Sequence, residues 1–251
     1  MPAARDPGYS GAMAEPSTES SIAYRTVGVL GGMGALATVD FLHKLVLATP
    51  ASTDQQQVPL LVRFCPEVPD RVDALFGRGP SPEQALVAAA QALERGGAEC
   101  LAIPCNTAHA WHDAIAAGVS IPVLHIADSA LAAASQLGIA GAVGLLGTTG
   151  TLHSGIYPAR GPGIDWVLST EREQAEWVAP GIRAVKTLRA EQGGAWLRQA
   201  AQALVQRGAT IVIMACTEIP IALAQQDIGV PLVDPTLTLA RACVAWAGTA
   251  D

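Results

Sequence analysis

The chain has 251 residues, half of them apolar and 15% charged, with a formal net charge of −7. That apolar content is enough for a sizeable core and excludes disorder over most of the length. An acidic chain without a basic stripe is a poor partner for nucleic acid or an anionic membrane surface.

The N-terminal stretch MPAARDPGYSGAMAEPSTESS is rich in Pro, Gly, Ser and Glu, and residues 1–24 read as a disordered tail. It lacks the apolar core of a signal peptide, and no later apolar run reaches the roughly 18–20 residues that span a bilayer. A cytoplasmic protein with no membrane partner is therefore expected. The five cysteines, Cys65, Cys100, Cys105, Cys216 and Cys243, are an odd number without framework spacing. Reduced thiols suit that pattern.

From Arg25 onward strands and helices alternate. TVGVLG (26–31) is a β-branched apolar run ending in glycine, as in a buried parallel strand. Residues 34–49 then place Leu36, Val39, Phe41, Leu42, Leu45 and Val46 at helical spacing. PLLVRF (59–64) is the second strand. A helix over 81–97 has Ser81 as a cap, Pro82 for its first turn and Gly96–Gly97 as its stop. CLAIP (100–104) and, after another helix, IPVLHI (121–126) are read as further strands. The class is α/β with a mostly parallel sheet.

The pattern then repeats. AVGLLGTTGTL (142–152) resembles TVGVLGGMGAL (26–36), RGATIVIMACTEIP (207–220) resembles RGGAECLAIPCNTA (95–108), and IGVPLVD (228–234) resembles GVSIPVLHIAD (118–128). The anchor pairs Gly28/Gly144, Cys105/Cys216 and Pro122/Pro231 keep their order and lie 109–116 residues apart. Two pseudo-symmetric α/β domains explain this economically. The first is expected to take 25–124 plus 231–251 and the second 125–230. Ligands of open α/β sheets sit beyond the carboxyl ends of strands. Both Cys105 and Cys216 directly follow a strand, so facing halves would bring them to opposite walls of one cleft.

A thiol at a strand end, entering a helix, feels free N–H groups that favour thiolate. With an ordinary pKa of about 8.5, a small push yields a usable base. Two such groups on opposite sides of one carbon suit racemisation: one removes the Cα proton, the other returns a proton to the opposite face. The glycine turns 31–38 and 147–151, with Thr38, Thr148, Thr149 and Thr151, would offer donors to a carboxylate. Other readings carry less. His109 and His112 could join Cys105 on a metal, but no second cysteine stands at zinc spacing, and no metal is expected. Lys186 could form a Schiff base, yet nothing around it resembles a phosphate cup. The GGMG turn lacks the remaining residues of a nucleotide loop. A diacid isomerase or decarboxylase with a nucleophilic cysteine, and a non-catalytic binder of acidic amino acids, remain as alternatives.

GVLGGMGALATVDF, IPCNTAHAW, GLLGTTGTLHSGIY and MACTEIPIAL together resemble the cofactor-independent aspartate/glutamate racemase family, most closely its aspartate branch, over nearly the whole chain from residue 25. The resemblance implies two pseudo-symmetric α/β domains, an active site between them, a homodimer and a two-base mechanism without pyridoxal phosphate or metal. It implies Cys105 and Cys216 as the bases. Asn106, Thr107, Thr148, Thr217 and Met33 would surround the substrate. Arg71 and Lys186 would hold the distal carboxylate of an acidic amino acid, aspartate or else glutamate, where a cation is chemically needed. The chain departs from the branch at Ala35, where proline is common, and at Cys65 and Glu67, which replace a more asparagine-rich approach.

Overall fold

The structure, a computed structural model, describes residues 24–249. The expected tail lies outside the described residues except for Tyr24, which packs against the first core. The first part of the chain runs β1 (Val27–Gly31), α1 (Ala35–Ala48), β2 (Leu60–Phe64), α2 (Arg71–Leu75), α3 (Glu83–Arg95), β3 (Cys100–Ala102), α4 (His112–Ala117), β4 (Val123–Leu124) and α5 (Ile126–Gln136). The second runs β5 (Ala142–Gly147), α6 (Thr149–Ser154), β6 (Trp166–Leu168), α7 (Glu171–Glu173), α8 (Ala179–Lys186), α9 (Ala190–Gln206), β7 (Ala209–Ala215), α10 (Ile219–Ala222), β8 (Leu232–Val233) and α11 (Pro235–Ala247).

The strands form two four-stranded sheets, ordered β2-β1-β3-β4 and β6-β5-β7-β8. Every pairing is parallel. The second order is the first with each strand replaced by its counterpart, so the sequence repeat is a repeat of topology. All five residues of β1 are buried, as a central strand covered on both faces requires. Helix α3 starts where expected: Ser81 Oγ accepts from the Glu83 amide at 3.2 Å, and the Gly96 amide closes the last turn on Ala92.

Two local expectations change. The 121–126 segment forms only a two-residue strand, because the His125 side chain accepts from the Ala127 amide at 3.1 Å and starts α5 there. In α1, Phe41 and Leu45 are buried while Val39 and Val46 stay exposed. Strand β6, the counterpart of β2, is too short to give an alternation signal in sequence.

Helices cover both faces of each sheet. Phe41 and Leu45 of α1 and Leu239, Ala240 and Cys243 of α11 pack with Val27, Val29 and Ala102. Leu86, Ala89, Ala90 and Leu93 of α3 join Leu30 and Leu101 in another cluster. In the second half, Ile182 and Val185 of α8 and Leu197, Ala201 and Leu204 of α9 pack with Leu146, Val212 and Met214. Ala127, Ala130 and Ala134 of α5 pack with Val143, Leu145, Ile211 and Ile213. The last helix of each half is thus exchanged: α5 follows the first sheet but covers the second, and α11 follows the second but packs with the first. Strand β8 pairs with β7, so Leu232–Val233 belong with the second sheet. We therefore propose the domain division read from the sequence with that one strand reassigned. Among the described residues no helix is long and apolar enough to cross a membrane.

The anchor glycines have matching reasons. A Cβ on Gly28 would lie 2.7 Å from Ala98 Cβ, and one on Gly144 would lie 3.1 Å from Ala209 Cβ. Each glycine lets the segment entering the neighbouring strand approach closely. Gly28→Ala is expected to cost about 1–3 kcal/mol by overpacking, and Gly144→Ala less. Thermal denaturation of both checks the order, and an unchanged melting point in Gly28→Ala would contradict it.

Candidate active site between the two sheets

The two cysteines emerge from equivalent strand ends with equivalent backbones. The Cys105 amide donates to Ile103 O at 2.7 Å, and the Cys216 amide to Met214 O at 2.8 Å. Each residue is 6% exposed. Both line one cavity of about 320 Å³, counting its open mouth. The same cavity is lined by Met33, Arg71, Asn106, Thr107, Thr148, Lys186 and Thr217, so all nine residues that the family resemblance assigns to the site come together there. Thr38, Thr149 and Thr151 of the glycine turns are not on its wall: the buried Thr38 hydroxyl accepts from the Gly32 amide at 2.8 Å and donates to Gly34 O at 2.9 Å within its own turn. Asp70, Val72 and Glu218 complete the wall.

Asn106 is 2% exposed. Its Oδ1 accepts from Tyr157 Oη at 2.6 Å, while its Nδ2 is buried without a partner. Burial holds the Tyr157 phenol well above its ordinary pKa, so it remains a donor. The bond fixes the amide orientation and leaves two N–H donors for whatever enters the cavity. Tyr157→Phe removes the donor from a buried carbonyl, at an expected cost of about 1–3 kcal/mol. Urea denaturation should register that loss; an unchanged midpoint would mean that Asn106 does not depend on the phenol.

Three hydroxyls tie the halves together. Thr107 Oγ1 lies 3.0 Å from Thr148 Oγ1 and 2.9 Å from Thr151 Oγ1. Thr148 also caps α6, accepting from the Thr151 amide at 3.1 Å. Thr107 follows the first cysteine, whereas Thr148 and Thr151 belong to the second half's glycine turn. The expected donors therefore form a cross-link as well as a lining.

The two cations are less free than a simple carboxylate clamp would be. Arg71 opens α2 after the cap Asp70, and its Nη1 donates to Val68 O and Pro69 O at 3.2 and 3.1 Å. Its Nε is buried without a partner. Lys186 ends α8, with Nζ 3.6 Å from Glu218 Oε1 and its side chain 39% exposed. Burial opposes the lysine's charge, but the Glu218 carboxylate and then the two thiols outweigh it, and its pKa is raised. Glu218 Oε2 accepts from Cys216 Sγ at 3.1 Å. The Glu218 position was visible within the second cysteine motif, but its contact with Lys186 depends on the packing of α8.

His109 lies behind Cys105. Its Nε2 faces the Ile126 amide at 3.2 Å, and an amide can only donate, so Nδ1 carries the proton and donates to Cys105 O at 2.9 Å. Burial lowers its pKa to about 4, leaving it neutral. The remaining cysteines do not reach the cavity. Cys65, Cys100 and Cys243 lie in the cores, where burial raises all three thiols, Cys100 to about 12.

These features define a pseudo-symmetric α/β protein with a donor-rich, two-thiol cavity between its halves. The model of the Asp/Glu/hydantoin racemase family matches residues 30–243, and the chain belongs to that family; it is an amino-acid racemase, an isomerase. Among curated proteins it is 28% identical over 225 residues to the broad specificity amino-acid racemase RacX of Bacillus subtilis, covering 87% of this chain and 96% of that one. Among solved structures, Picrophilus torridus aspartate racemase superposes with a TM-score of 0.80 at 30% identity, over 89% of this chain and 94% of that one. Glutamate racemase RacE1 of Bacillus anthracis shares the fold at a TM-score of 0.61 and 18% identity, over 87% of this chain and 79% of that one.

Proposed function

We propose that the protein interconverts L- and D-aspartate by two-base proton transfer through Cys105 and Cys216. The observation that carries this reading is the presence of both thiols, from equivalent strand ends, on the wall of one small cavity. In one direction a thiolate takes the Cα proton. The C–H bond breaks, an S–H bond forms, and the electron pair spreads into the α-carboxylate. The opposite thiol then protonates the other face. Asn106 Nδ2, Thr107, Thr148 and Thr217 supply donors to the growing negative charge in a site with little water. Met33 shapes the wall, and Arg71 and Lys186 attract the distal carboxylate. The proposed chemistry needs no cofactor.

The likeness to an aspartate racemase at 30% identity supports aspartate as substrate. A broader side-chain range is the second reading. It is favoured by the pairing of Lys186 with Glu218, which already balances that cation, and by the tie of Arg71 Nη1 to its own loop, which leaves the rest of the guanidinium to meet a carboxylate. The broad-specificity relative fits that range. Incubation with L-aspartate in heavy water, without cofactor, should put deuterium at Cα and produce D-aspartate. Exchange with neutral or basic amino acids at comparable rates would favour the second reading. No exchange with any amino acid would refute both. We also propose a cytoplasmic homodimer; a monomer mass in light scattering at micromolar concentration would overturn the oligomeric part.

A further inference from the structure

We infer that the cavity continues into a second compartment, which receives a long substrate side chain ending in a cation, that of lysine or arginine; the inference rests on the two-cysteine reading above and gives its broader substrate range a place in the fold. Asp70, Val72, Thr148 and Lys186 on the cavity wall also line a groove of about 880 Å³, counting its open mouth. The groove runs along α8. Ala179, Ile182, Arg183 and Lys186 all line it, at the i, i+3, i+4, i+7 spacing of one helix face. From Lys186 back to Ala179 that face spans about 10 Å. At its far end Thr149, Gln174 and Ala179 are shared with a further pocket of about 680 Å³, again counting its mouth.

The pocket lies beyond the carboxyl ends of β5 and β6, on the rim where ligands of parallel sheets sit. Thr149 opens α6 just after β5, and Ser169 directly follows β6. The strands β6, β5 and β7 are neighbours in that order. At about 4.8 Å per strand, Ser169 stands about 10 Å across the rim from Cys216 at the end of β7. A side chain of lysine or arginine length, met by the pocket's own side chains, spans that distance, whereas that of aspartate does not. Leu152, Ala175 and Ala179 offer apolar surface to a methylene stem. Three acceptors stand around its end. Gln174 is 5% exposed and opens a π-helical turn, Gln174–Val178, a departure from the α-helix that is frequent at functional sites. Its Nε2 donates to Gly147 O at 3.0 Å, which fixes the amide and leaves Oε1 an acceptor, buried without a partner. Ser169 Oγ is also buried without a partner. Glu171 is the charged residue on the pocket wall. Its neighbours Arg172 and Glu173 pair with Glu176 and Arg207, while Glu171 has no ion pair among the described residues. Unused acceptors and a lone carboxylate around an apolar pocket suit an N–H donor with positive charge. The groove leading there does not turn a cation away. Asp73 and Glu218 balance Arg78 and Lys186, and Asp70 offsets Arg183 across the groove.

Deuterium entry at Cα is read with L-aspartate and with a length series of L-2,4-diaminobutyrate, L-ornithine, L-lysine and L-arginine. Exchange should rise along the series, with lysine and arginine about tenfold or more above diaminobutyrate, whose ammonium stops short of the pocket. Ala179→Leu fills the junction of groove and pocket. It should lower kcat/KM for lysine and arginine about tenfold or more and leave that for aspartate within about twofold. Glu171→Gln, at an exposed position, should lower the same two values about threefold to fivefold, and it serves as the reading if the Leu variant does not fold. Aspartate exchange without lysine or arginine exchange would overturn the inference and leave the two-cysteine reading standing. A flat length series would overturn it too. So would equal losses for aspartate and lysine in Ala179→Leu, which would make the groove an entrance only. Absence of exchange with every amino acid would instead refute the two-cysteine reading. Calorimetric titration of L-arginine into wild type and either variant then decides the pocket: weaker binding by the variant supports it, and equal or absent binding overturns it.

Discussion

Cys105→Ser and Cys216→Ser are each expected to lower racemisation about 10²–10⁴-fold, the range for losing a positioned acid–base group. A serine hydroxyl fills nearly the same space but does not ionise near neutral pH, so the cavity survives and the proton transfer does not. Mirror-image substrates have equal free energies, so kcat/KM must fall equally in both directions for either variant. Isotope exchange separates the two. With one thiol left, deuterium should still enter from one enantiomer, returned to the face it came from, and the favoured enantiomer should switch between the variants. Chiral chromatography with mass detection reads both quantities. Retention of more than about a tenth of wild-type turnover by either variant would remove that cysteine from the proposed mechanism.

The second large effect is on stability in acid. His109 has a folded pKa of about 4 and His125 of about 2, both lowered chiefly by burial, against about 6.5 in an unfolded chain. His109, His112 and His125 form one group, with ring centroids 4.6–5.9 Å apart, so neighbouring rings add to the reluctance to charge. The unfolded chain gains protons below pH 6.5 while the folded rings stay neutral. The stabilisation is complete above that pH and is lost as the pH falls towards each folded pKa. By pH 5 each of the two rings should have cost about 2 kcal/mol, a large share of an ordinary domain's stability. Urea denaturation at pH 7.5 and pH 5 measures the loss, and His109→Gln should shrink it by about half. A flat profile between those values would mean that water or a counter-charge reaches the rings.

Much of this was legible in the sequence, for a physical reason. Strands buried on both faces leave short apolar runs ending in glycine or cysteine, and a duplicated topology repeats them in order. That placed β1, β3, β5 and β7 and, through them, Cys105 and Cys216. The rest depends on packing. Nothing in the apolar spacing of α5 or α11 says which sheet it will cover, because either sheet offers the same kind of surface. Arg71 was named from its motif, but the return of its guanidinium to Val68 and Pro69 is a matter of loop geometry. Glu218 stood in plain view next to a named cysteine. Its significance came only when α8 brought Lys186 to one of its oxygens and the strand end brought a sulfur to the other.

The exchange of α5 and α11 bears on how the molecule comes apart. Were the chain cut before Pro235, the face of Val27, Val29 and Phe41 would lose Leu239, Ala240 and Cys243 and lie open to water. Neither lobe can therefore be expected to survive as an independent fragment, and denaturation should proceed in a single step. Because α11 follows the second sheet in the chain but packs on the first, the core of the first lobe can close only after the second lobe has been synthesised.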